Sequence, residues 1–136
     1  MNASNWSSAT APDLRIFRDI AHEAFANLPE EFRSRCDGIV IAIEYFPSEA
    51  MPESVGAEDP FDLLGLFEGL GLAQTGDNAV TGQQPNRVWL FRRPILDYWA
   101  AYEESLGVVI THVLVHEIGH HFGLSDEDME AIEADG

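Results

Sequence analysis

Residues 116–128 read HEIGHHFGLSDED, and this stretch is the most informative in the chain. It places His116 and His120 four residues apart, with Glu117 directly after the first histidine. Successive residues of an α-helix lie about 100° apart around its axis, so the two imidazoles project from nearly one face, one turn apart. Two imidazoles at this separation can bind one zinc ion at roughly 2.0–2.1 Å each. Glu117 is then near the metal without binding it, where a general base could deprotonate a zinc-bound water.

A third ligand is expected after the helix, because a catalytic zinc site has three protein ligands and an open fourth position. Gly123 suits the left-handed residue at which a helix ends, and it would let the chain turn back towards the metal. The residue three positions further on is Asp126, which we predict to be the third ligand in preference to Asp128. The full pattern is His-Glu-x-x-His-x-x-Gly-x-x-Asp.

The competing interpretation is a polar helix end with accidental histidines. The preceding residues 108–115, VVITHVLV, are strongly apolar and predict a buried helix, in which imidazoles and carboxylates need partners. A metal ion supplies one, so we favour a metal site. His112 lies one turn before His116 and could be a fourth ligand, but that would close the open position, so we expect it behind the ligands or in solvent. His121 points about 100° away from His120 and is expected at the surface.

The rest of the chain predicts one small α+β domain over residues 13–136, preceded by a flexible N-terminal tail at residues 1–12. An amphipathic helix is predicted within residues 11–29, with Pro12 in its first turn. Strands are predicted at 38–46, in the centre of the sheet, at 61–72, as an irregular glycine-containing edge strand, and at 87–93. Helices then begin at Pro94, at residue 108, and at Ser125 or Asp126.

Composition narrows the class of partner. The 136 residues carry 24 acidic side chains against seven basic ones, all arginine, for a formal net charge of -17. Such a surface repels phosphate backbones and anionic lipid, so we expect no nucleic-acid and no membrane partner. The single cysteine, Cys36, allows no intrachain disulfide, and the N-terminus lacks the features of a secretory signal. The expected location is cytoplasmic.

With these motifs in view, the sequence resembles the zincin metallopeptidases, and specifically the metzincin branch in the variant whose third ligand is Asp. Segments 63–69 (LLGLFEG), 87–95 (RVWLFRRPI) and 115–129 (VHEIGHHFGLSDEDM) are similar to a family of short bacterial zincin-like proteins. The resemblance covers residues 13–133. It implies a minimal zincin-like fold, in which a small mixed β-sheet carries a backing helix and an active-site helix.

The same resemblance implies a set of roles. His116, His120 and Asp126 would bind Zn²⁺, and Glu117 would be the base. The chain departs from metzincins in having no Met-turn, the downstream turn that forms a hydrophobic floor under the metal. Met129 is too close in sequence to Asp126 to serve in the usual way.

Two functions from different classes follow. The first is a zinc metallopeptidase that hydrolyses peptide bonds, with an extended substrate added as a strand along residues 61–70. The acidic surface would favour a basic peptide. The alternative is a non-catalytic zincin-fold module that binds metal or peptide without turnover. Glu117 favours the enzyme, since a site that only binds has no need of a base beside its ligands.

Overall fold

A computed structural model describes residues 6–36, 38–48, 59–69 and 86–135. Its helices are α1 (Leu14–Ala26), α2 (Glu30–Arg33), α3 (Arg92–Tyr102), α4 (Leu106–His121) and α5 (Asp126–Asp135), and its strands are β1 (Val40–Glu44), β2 (Gly65–Glu68) and β3 (Arg87–Phe91). Short 3-10 turns follow α2 and precede β2. The α+β class with a small mixed sheet is confirmed. Residues 1–5 of the predicted tail and 70–72 of the predicted edge strand lie outside the described ranges.

The three strands are ordered β1-β3-β2, with β1 parallel and β2 antiparallel to β3. The central strand is therefore β3, and the prediction that residues 38–46 form the central strand is wrong. Burial agrees with this order: Val88, Leu90 and Phe91 of β3 are fully buried, whereas β1 has no fully buried residue. The chain returns after β2 to insert β3 between the two earlier strands. The prediction of an edge strand within 61–72 is confirmed, although β2 is short.

Helices α1 and α4 cover one face of this sheet. The register pairs Ile41 with Val88 and Ile43 with Leu90, so the apolar side chains of β1 and β3 form rows on the same face. The core between sheet and helices includes the fully buried residues Phe17, Leu90, Ile110, Leu114 and Ile118. The backing helix is thus α1, and α4 is the helix that carries the HExxH sequence.

Three helix starts differ slightly from prediction. Helix α4 begins at Leu106, two residues before the predicted residue 108, because the Ser105 hydroxyl accepts a hydrogen bond from the Val108 N–H and caps the helix. Helix α1 begins at Leu14, because the Asp13 side chain accepts a hydrogen bond from the Ile16 N–H (2.9 Å) and so caps the helix; Pro12 stays outside it. Helix α3 begins at Arg92, two residues before Pro94. A proline is tolerated there because the first N–H groups of a helix have no partner within the helix. None of the helices in the described ranges has the length and apolarity needed to cross a membrane.

Candidate metal centre and active site

Helix α4 ends where the sequence predicts it. Gly123 adopts a left-handed conformation with φ of +75°. Its N–H donates to the His120 carbonyl (3.1 Å), and the Leu124 N–H donates to the Gly119 carbonyl (2.9 Å). These two bonds form a Schellman motif, which satisfies the last carbonyls of a helix and reverses the chain. The reversal starts α5 three residues after Gly123.

The start of α5 separates the roles of two aspartates. The Ser125 hydroxyl accepts from the Asp128 N–H (3.1 Å), and the Asp128 carboxylate accepts from the Ser125 N–H (3.3 Å). This reciprocal pair is a capping box, with Asp in the place usually held by Glu or Gln. The cap therefore uses Asp128. Asp126, the first residue of α5, takes no part in it.

A cleft of about 390 Å³ runs between α4 and the segment that leads into β2. Helix α4 contributes His112, His116, Glu117 and His120 to its lining, and the opposite wall includes Leu64 and Gly65. Two exposed carboxylates, those of Asp62 and Glu104, also line it. Three of the four predicted site residues, His116, Glu117 and His120, thus share one cleft, and the fourth, Asp126, does not line it.

Strand β2 lies directly against α4. A Cβ at Gly65 would come within 2.6 Å of the Val113 Cγ1 and 3.3 Å of the Glu117 Cγ. A side chain at position 65 would therefore push the strand away from the helix. Gly65 therefore marks a close approach of the strand to the helix.

Glu117 bridges the helix and the strand. The backbone N–H of Phe67, in β2, donates a hydrogen bond to the Glu117 carboxylate. Burial raises the pKa of Glu117 above its usual value, while His120 and the Phe67 N–H act in the opposite direction. A carboxylate with a raised pKa is a stronger proton acceptor, as a general base requires.

The ligand histidines predicted from the sequence face each other across one turn of α4. The ring centroids of His116 and His120 are 5.8 Å apart, with an angle of 66° between the ring planes. Burial, and next the neighbouring His112, lower the pKa of His116, whereas Glu133 and Asp126 raise it. The net effect favours the neutral imidazole, which is the form that binds metal.

A closer cluster forms on the other side of His116. Glu133, near the end of α5, accepts a hydrogen bond from His112 (Nδ1–Oε1 2.9 Å) and lies 3.7 Å from His116 (Nε2–Oε2). Donor atoms of His112, His116 and Glu133 all lie within 4.8 Å of one another, and His120 and Asp126 do not belong to this group.

Sequence reasoning missed Glu133 and placed His112 behind the ligands or in solvent. The spacing in the sequence could have indicated Glu133, because Met129 and Glu133 are four residues apart and therefore share a face of α5. Met129 is fully buried and packs against Gly119 of α4. Glu133 lies one turn further along the same face of α5, so it also lies against α4.

The donors present suit a zinc ion, which takes imidazole nitrogen and carboxylate oxygen together in catalytic sites. Burial lowers the pKa of His116, which favours the neutral imidazole, while the charge of Asp126 acts on the same ring in the opposite direction. His116 and His120 would hold the ion, and Glu117 lies beside them on the cleft wall.

His121 differs from its prediction. Its ring stacks on that of Phe67 with centroids 4.0 Å apart and an angle of 21°, and it is half-buried, not exposed. The rotation of about 100° from His120 turns it towards β2 instead of towards water. His121 therefore helps fasten the strand to α4.

Comparison with known proteins identifies the family. No curated protein matches the chain. A family model described as zincin-like metallopeptidase matches residues 36–135, which is more than half of the chain. The matched range contains the three strands, α4 and α5. The chain therefore belongs to the zincin-like metallopeptidase family.

Proposed function

We propose that this protein is a zinc-dependent peptidase in which His116, His120 and Asp126 bind the metal and Glu117 is the general base. The observation that carries the proposal is the position of Glu117, which lines the cleft with both histidines while its carboxylate accepts a hydrogen bond from β2. The family assignment supports the general class of activity, which is that of a metallopeptidase.

In this proposal each group of the chain has a defined task. A bound zinc ion would polarise the scissile carbonyl and lower the pKa of an attacking water. Glu117 accepts the proton of that water and passes it to the leaving amine. The Phe67 N–H orients the Glu117 carboxylate between helix and strand. Proton transfer by a positioned side chain contributes about 10²–10⁴-fold to the rate.

The proposed substrate is an extended, basic peptide that adds to the outer edge of β2, within residues 61–70. The Phe91 N–H donates to the Leu64 carbonyl (3.0 Å), so the backbone groups of Leu64 face β3. Because this orientation alternates along a strand, the backbone groups of Gly65 and Phe67 face away from β3, towards α4 and the cleft. Asp62 and Glu104 on the cleft wall would attract a cationic side chain.

The decisive experiment compares zinc-loaded wild type with Glu117→Gln on a library of unfolded basic peptides, read by mass spectrometry. Glu117→Gln should keep zinc and lose cleavage by at least about a hundredfold, because an amide cannot accept the proton. Glu130→Gln, an exposed carboxylate on α5, is the matched control and should cleave like wild type. Cleavage that persists in Glu117→Gln would refute the role of this base.

The alternative function is a module that binds metal or peptide without turnover. One observation favours it: Asp126 does not line the cleft that holds Glu117 and the two histidines. The same experiment decides, because wild type with confirmed zinc that cleaves nothing in the library would leave only the binding module.

A further inference from the structure

Helix α4 carries three histidines at four-residue intervals: His112, His116 and His120. They form two overlapping pairs, each with the spacing that suits one metal ion, and His116 belongs to both. The proposed catalytic site takes the pair His116 and His120. The other pair, His112 and His116, has its own carboxylate in Glu133, on α5.

The second pair is already close to ligand geometry. A tetrahedral ion with bonds of about 2.0–2.1 Å holds its donors roughly 3.3 Å apart. Glu133 lies 3.7 Å from the His116 Nε2 and 2.9 Å from the His112 Nδ1. Small side-chain rotations therefore suffice to place all three donors around one ion. Two histidines and a glutamate are also a donor set that catalytic zinc sites use.

The backbone that carries these donors is well supported. Met129 is fully buried against Gly119, which fixes α5 beside α4. The capping box at Ser125 and Asp128 fixes where α5 begins. Glu133 lies one turn beyond Met129, so its approach to the histidines follows from the packing of the two helices and not from a loop.

We propose that His112, His116 and Glu133 form a second site for a divalent transition-metal ion such as zinc, and that this site competes with the catalytic site for His116. Both sites use the imidazole of His116, and its Nε2, which lies 3.7 Å from the Glu133 Oε2, binds one ion at a time. An ion in the second site lies on the His112 side of His116, away from His120 and Glu117. The two positions are at most about 4 Å apart, because both lie within about 2.1 Å of the same nitrogen. The second site is thus a non-productive position that holds the metal without chemistry.

Zinc binding by three variants that lack His120 tests this inference without a cleavage assay. His120→Ala removes a ligand from the catalytic site alone, and His120 is exposed, so the fold is not at risk. Calorimetric titration with zinc should show that His120→Ala still binds one ion. His120→Ala/Glu133→Gln should bind it at least tenfold more weakly. His120→Ala/Glu130→Gln, with a matched change on the solvent side of α5, should bind like His120→Ala. Circular dichroism checks that each variant is folded.

The single variant Glu133→Gln separates this inference from the catalytic assignment. It should keep one zinc ion through His116, His120 and Asp126. Loss of zinc in Glu133→Gln alone would mean a single site that includes Glu133, and would overturn the competition between two sites. Folded His120→Ala that binds no zinc would overturn the second site and leave the catalytic assignment standing.

Discussion

Met129 lies directly beneath Gly119, so that a Cβ at position 119 would come within 2.5 Å of the Met129 sulfur. This contact joins the helix that carries the HExxH sequence to the helix that begins with the candidate ligand Asp126. The methionine comes from α5 itself, ten residues after Gly119, and not from a separate downstream turn.

Gly119→Ala should destabilise the protein although alanine is the better helix former. Overpacking against Met129 costs about 1–3 kcal/mol, which exceeds the gain of up to about 1 kcal/mol in helix propensity. Gly107→Ala is the control in the same helix, because a Cβ there meets nothing within 4 Å. It should stabilise by about 0.5–1 kcal/mol. Urea unfolding of both variants measures the difference, and equal effects of the two substitutions would refute the contact.

The two aspartates at the start of α5 should separate zinc binding from stability. Asp128→Ala removes half of the capping box and a carboxylate from the first turn of α5, and should cost about 0.3–1 kcal/mol of unfolding free energy, with zinc affinity unchanged. Asp126→Ala should weaken zinc binding at least tenfold and leave the cap intact. Calorimetry and chemical unfolding are measured on both variants. Equal losses of zinc affinity would indicate a diffuse acidic patch instead of one ligand.

The fold should survive metal removal. The buried core built on Phe17, Leu90 and Leu114 contains none of the candidate metal donors. Thermal unfolding in EDTA should remain one cooperative transition, shifted only by the loss of ligand binding, which is about 2.7 kcal/mol when free zinc is at 100 times its Kd. Complete loss of the circular dichroism signal in EDTA would instead make the metal structural, as in a zinc finger.

Cys36 should react slowly with thiol reagents. Burial raises its pKa to about 11, against a weaker opposing effect of Arg35, and its thiol donates to the Phe32 carbonyl. At pH 8 the folded protein should be alkylated by iodoacetamide roughly tenfold or more slowly than the protein unfolded in guanidinium, because the thiolate is the reactive form. Equal rates in the two states would show that Cys36 is accessible in the fold.

The turn between α4 and α5 could be predicted because its causes are local. Gly123 supplies the left-handed residue, and Ser125 with Asp128 supplies the cap, all within six residues. Strand order could not be predicted, because β1 and β3 are both short apolar runs. Which of them is central depends on how the chain returns to place β3 between β1 and β2. Glu133 was missed for a related reason. Its approach to His112 depends on how Met129 packs against α4, which is a contact between helices and not a sequence spacing.

The hydrogen bond from Phe67 to Glu117 has a consequence for any chain that pairs with β2. The Phe67 N–H already donates to Glu117, so it cannot donate to an incoming strand. The edge of β2 therefore lacks one hydrogen-bond donor beside the candidate base. Pairing along this edge advances in steps of two residues. A peptide bound there would, in each such alignment, leave one peptide unit without a main-chain partner next to Glu117. The edge of the sheet would thus keep one peptide unit free of strand pairing beside the candidate base, whichever residues of the peptide occupy it.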